Sequence, residues 1–62
     1  MNKTIEALNW YMEKANRNGL RIGQLFDNVF AVLNEKGIDP FYLSDNAMLV
    51  AFEDYANKYL QK

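Results

Sequence analysis

Apolar residues recur at spacings of three and four along most of this chain, and two glycine-containing breaks divide them into three runs. In the first, Ile5, Leu8, Tyr11, Met12 and Ala15 gather on one side of a helical projection, while Glu6, Glu13 and Arg17 gather on another. The pattern predicts an amphipathic helix over Thr4 to Arg17, with Thr4 as N-cap and Glu6 in the first turn, where the helix dipole favours an acid. Trp10 falls at the margin of the apolar side, beside Lys14 and Arg17, as a lid on the core or an exposed anchor.

The second run has the strongest helical period, with Ile22, Leu25, Phe26, Val29, Phe30 and Leu33 predicting a helix from about Arg21 to Lys36. The third starts after Ser44, an N-cap candidate followed by Asp45, and continues to about Gln61. Its main stripe is Met48, Phe52, Tyr55 and Tyr59, with Leu49, Ala51, Ala56 and Leu60 to either side. An apolar arc that wide belongs to a helix central to a bundle or shared between subunits.

The breaks share one device. In "NRNG" (Asn16 to Gly19) a glycine ends the helix and Leu20 supplies the apolar contact that often follows. In "EKGIDP" (Glu35 to Pro40) Gly37 and Ile38 take those roles, and Pro40 prevents simple continuation. Asp39 can cap a short turn opening on Pro40. Phe41 and Tyr42 are adjacent, so one is expected to plug the bundle and the other to face outward. No segment alternates as a strand does. The expected fold is all-α: a single domain, residues 1–62, built as a small three-helix bundle with an additional short helical turn between helices 2 and 3.

Size changes the picture. A chain of 62 residues buries only about 60% of the surface its unfolded form exposes. With no cysteine and no histidine, disulfides and the common zinc sites are excluded, which leaves self-association as the usual supplement to a small core. Half of the residues are hydrophobic and 15% are aromatic, generous for so little interior, so part of that surface is expected against another chain.

Seven basic and eight acidic residues give a net charge of −1. The bases are spread along the chain, which disfavours a phosphate-tracking footprint and with it a helix-turn-helix nucleic-acid binder, the competing class. No apolar run approaches the roughly 20 residues of a membrane span and no signal-peptide core is present, so a cytoplasmic protein is expected.

Candidate chemistry is sparse. Ser44 and Thr4 have no activating base nearby and are better read as helix caps. Asp39, Asp45, Glu53 and Asp54 match no metal loop, and Glu53 with Asp54 falls on a polar helix face. No catalytic residue, metal ligand or cofactor is expected. What stands out is "RIGQLFDN", in which Arg21, Gln24 and Asn28 lie within roughly 60° of one another on a helix. Gly23 in its first turn would let a backbone or a ring such as Trp10 or Phe41 come close. On a structural reading Arg21 pairs with an acid near Asp39 or Asp45, and Gln24 and Asn28 hydrogen-bond the "DPFYLS" backbone. On a recognition reading Arg21, Gln24, Asn28 and Tyr42 form a protein-binding patch. Trp10, Tyr55 and Tyr59 complete the candidate interaction residues.

The pairing of "RIGQLFDN" with "DPFYLSDNAML" resembles a pattern, R-x-G-Q-L-x-x-N then D-x-F-Y-x-x-D-x-x-L, of short bacterial and phage proteins with no assigned biochemical role. It covers Arg21, Gly23, Gln24, Leu25 and Asn28, then Asp39, Phe41, Tyr42, Asp45 and Met48 or Leu49, about half of the chain. The resemblance implies a bacterial or phage origin and a coupling between the two motifs, and it imports no catalytic residue. The expected function is a non-enzymatic protein-binding module that forms a homo-oligomer, a dimer in its simplest form. The alternative is a small regulator that binds nucleic acid or, encoded by a phage, a host factor.

Overall fold

The computed structural model describes residues 2–61. Helix α1 spans Lys3–Arg17, α2 spans Ile22–Glu35, a single 3-10 turn η1 spans Pro40–Tyr42, and α3 spans Asp45–Tyr59. No strand occurs among the described residues, and the architecture is the expected small all-α bundle.

The start of α1 differs from expectation. Asn2 is the N-cap, its side-chain oxygen accepting from the Thr4 N–H at 2.7 Å, so Thr4 lies inside the first turn. Asparagine outranks threonine as an N-cap, which accounts for the earlier start. Ser44 caps α3 as expected, accepting from the Ala47 N–H at 3.2 Å. That helix stops at Tyr59 rather than near Gln61, because Leu60 leaves helical geometry and turns its side chain into the core.

Both breaks form the same closed turn. The Gly19 N–H donates to Asn16 O and the Leu20 N–H to Ala15 O, each at 3.0 Å. At the second break Gly37 donates to Asn34 O at 3.0 Å and Ile38 to Leu33 O at 2.9 Å. This paired Schellman bonding satisfies the last helical carbonyls, and it requires a residue in the left-handed region. Gly19 (φ 81°) and Gly37 (φ 77°) supply it.

The three helices share one core of Ala15, Leu25, Val29, Leu33, Phe52, Tyr55, Ala56 and Leu60. An aromatic ladder reinforces it: Tyr11 stacks on Phe52 at 6.2 Å, and Phe26 meets Phe52 edge-on at 5.5 Å. Helix α1 lies most extensively against α3, and α2 touches α3 over a shorter length. The bundle measures 29 × 28 × 18 Å, so it is a slab two helices thick. The shorter α2–α3 contact leaves a furrow on one side.

Candidate interaction surface

The opening of α2 is settled by its own backbone. Arg21 is the N-cap, with φ −81° and ψ 160°, and its N–H donates to Gln24 Oε1 at 2.9 Å. This is the glutamine half of a capping box. The other half is chemically closed, because a guanidinium has no acceptor. Gln24 is thereby committed within its own turn, and among the described residues Arg21 has no carboxylate partner. Nothing lies within 4 Å of where a Cβ on Gly23 would sit, so neither Trp10 nor Phe41 approaches it.

Asn28 reaches across the bundle. Its Nδ2 donates to Tyr55 Oη at 2.9 Å, fastening α2 to α3 over 27 positions of sequence. The Tyr55 ring is buried (9% exposed) and lies 4.9 Å from the Tyr59 ring, with the planes tilted by 40°. Tyr55 is therefore a core residue with a bonded hydroxyl, and Tyr59 is the member of the pair that reaches solvent.

Neither amide hydrogen-bonds the Asp39–Asp45 segment, contrary to the structural reading of Gln24 and Asn28. That segment satisfies itself: the Phe41 N–H donates to Asp39 Oδ1 at 3.0 Å, the Tyr42 N–H to Asp39 O at 3.1 Å and the Leu43 N–H to Pro40 O at 3.2 Å. A self-capped turn leaves the amides of α2 nothing to complete.

Phe41 and Tyr42 overturn the expectation that one of them plugs the bundle. They are 84% and 81% exposed and lie edge to face with centroids 5.0 Å apart. The flanking Ile38 and Leu43 pack on the core instead. Neighbouring positions in a 3-10 turn are a third of a turn apart, and with Ile38 and Leu43 turned inward the two rings of the turn face water.

Trp10 is 51% exposed on α1, edge-on to Tyr11 at 5.0 Å, with Lys14 Nζ 5.3 Å from its ring centroid. That distance lies within cation–π range. Tyr11 itself is partly buried, and burial first and the Glu53 carboxylate second raise its phenol above the ordinary pKa of 10.0.

The candidate residues thus fall into separate groups: Trp10 on α1, Arg21 with Gln24 at the start of α2, Tyr42 on η1, and Asn28 with Tyr55 and Tyr59 between α2 and α3. Tyr55 and Tyr59 of the last group border a depression of about 230 Å³ whose walls also include Val29, Val32, Ile38, Leu43 and Val50. Val50 and Tyr59 stand 56% and 59% exposed at its edge, and Lys36, Asp54 and Lys58 supply its charges. Val50 was not singled out from sequence, although it is an apolar residue off the buried stripe of α3. Two other shallow depressions occur, one of about 470 Å³ at the first hinge and one of about 230 Å³ beside Phe26 and Phe52.

Among the described residues no cluster of acidic side chains could hold a metal ion, and no helix is long and apolar enough to cross a membrane. None of the known protein families, curated proteins or solved structures compared with the chain matches it.

Proposed function

We propose that this chain is a non-enzymatic helical module that binds protein, and binds itself first. The observation that carries the reading is the amount of apolar surface left uncovered. Ile5, Trp10, Ile22, Phe41, Tyr42, Val50 and Tyr59 are all at least half exposed, on a body whose buried core holds eight residues. Scattered apolar residues are ordinary on protein surfaces, and most of these lie apart from one another, but Val50 and Tyr59 share the edge of one depression, as contact residues do. Tyrosine and tryptophan are also the side chains that anchor protein interfaces. A chain without cysteine or histidine has no thiolate or imidazole for acid–base or nucleophilic work, which supports the non-enzymatic part.

Sedimentation equilibrium on the full chain tests this. The expected result is a mass above the 7.3 kDa of one chain that falls on dilution. A strict monomer of high thermal stability overturns the reading. A gel shift at low salt gives no retarded band on this reading, and retardation that weakens as salt rises favours the nucleic-acid alternative.

A further inference from the structure

We propose that Asn18 is a site of spontaneous modification: its side-chain amide converts to aspartate or isoaspartate through ring closure with Gly19, and the turn that ends α1 is the restraint that holds this reaction back.

The two turns of the fold are alike in backbone and unlike in chemistry. Both close by paired Schellman bonds around a left-handed glycine, but the residue ahead of Gly37 is Lys36 and the residue ahead of Gly19 is Asn18. Of the eight asparagines in the chain, Asn18 alone precedes a glycine. The nucleophile in this chemistry is the backbone nitrogen of the following residue, and glycine has no Cβ to hinder its approach or to restrict the rotations that bring it in.

The reaction needs only water. The Gly19 nitrogen attacks Asn18 Cγ, the Cγ–Nδ2 bond breaks, and ammonia leaves with the proton that the Gly19 nitrogen gives up. A five-membered succinimide remains. Water then opens it at either carbonyl, giving aspartate, or isoaspartate in which the backbone runs through the former side chain. Nothing is oxidised or reduced.

Three features of the native turn oppose the first step. With ψ at 11°, the Gly19 nitrogen nearly eclipses the Asn18 nitrogen about the Cα–C bond, whereas ring closure requires it to eclipse Cβ. Its N–H is engaged, donating to Asn16 O at 3.0 Å. The leaving group is engaged too, since Asn18 Nδ2 donates to Lys14 O at 2.8 Å. All three restraints are lost together when the turn opens, and Gly19 is exposed, so water reaches the ring once it forms. The last turn of a helix frays far more often than a whole chain unfolds. The reaction therefore follows the local opening of this turn.

The products cannot restore what they replace. Either one puts a carboxylate where Nδ2 donated to Lys14 O, at the negative end of α1. Isoaspartate also inserts a methylene into the backbone of the turn, which takes the Leu20 N–H out of register with Ala15 O. The change is one-way, and it slackens the link between α1 and α2 as the chain ages.

The test is incubation of the full chain at mildly alkaline pH, native and in urea, with peptide mapping for the amide-to-acid mass gain and a methyltransferase assay for isoaspartate. In urea Asn18 should convert ahead of every other asparagine, and in the native chain at least about tenfold more slowly than in urea. Leu20 packs on the core beside the turn; Leu20→Ala, shown to be folded by circular dichroism, should speed the native reaction several-fold and leave the rate in urea unchanged. Tyr55→Phe, which loosens the bundle away from the turn, should keep the native rate of the unaltered chain. Conversion in urea that does not favour Asn18 overturns the site. Equal native and unfolded rates, or a native rate that Tyr55→Phe raises as much as Leu20→Ala does, overturns the restraint by the turn.

Discussion

The opening of α2 and the outer side of α3 each present side chains that look available for recognition, and they meet opposite fates. At the opening of α2 the polar groups are used inside the chain: Gln24 holds the Arg21 N–H and Asn28 holds the Tyr55 hydroxyl. On the outer side of α3, Val50 and Tyr59 border a depression that this chain does not fill. Hydrogen-bonding groups can be satisfied by one well-placed neighbour, whereas apolar surface is satisfied only by area. In so small a body local partners are plentiful and area is scarce, so the two amides are used within the chain, while the Arg21 guanidinium and the apolar side chains stay open.

The contrast can be broken in several ways. The largest effect is expected from Gly37→Ala, which forces a Cβ into the left-handed region of the turn that brings Ile38 and Leu43 against the depression. Nothing lies within 4 Å of that Cβ, so the destabilisation is conformational, about 1–2 kcal/mol, and urea unfolding would measure it. A neutral result would mean that the second hinge yields freely and does not shape the α3 side. Next is Tyr55→Phe, which removes the acceptor of the Asn28 amide while keeping the buried ring. Asn28 is exposed and can turn to water, so a loss of about 0.5–1.5 kcal/mol is expected in the same measurement. Unchanged stability would show that the cross-bundle bond is idle.

Gly23→Ala should act with the opposite sign. With open space around it and a helical setting, alanine should stabilise the fold by up to about 1 kcal/mol and leave self-association unaltered. Lost association would turn the opening of α2 back into a docking site. The smallest effect concerns Tyr11 at alkaline pH. Its phenol titrates above the ordinary value when folded, so the neutral form is favoured in the folded state. Its stability contribution is intact below pH 10 and declines as pH rises beyond it, while the unfolded chain ionises first. In an absorbance titration of the four tyrosines, Tyr11→Phe should remove a late-ionising component.

Much of the fold is legible from local spacing. Gly19 with Leu20, Gly37 with Ile38, Ser44 ahead of α3 and Asp39 ahead of η1 are each read from a few neighbouring residues, because caps and closed turns are local chemistry. The capping role of Gln24 is equally local, three positions beyond Arg21, and was hidden only because arginine is an uncommon N-cap. The Asn28–Tyr55 bond was not legible, since it depends on how α2 and α3 are set against each other across 27 residues. The same holds for Phe41 and Tyr42: which ring turns inward depends on whether Ile38 and Leu43 have already taken the space, and they have.

The thinness of the slab has a consequence for motion. At 18 Å through, the body holds two layers of helix and no enclosed third, so no helix can lift away without opening the core to water. Backbone amides of Leu25, Val29 and Phe52 should therefore exchange with deuterium only when the whole chain unfolds, all at one rate-determining free energy. The ends of the helices should exchange by fraying, with no intermediate tier between the two.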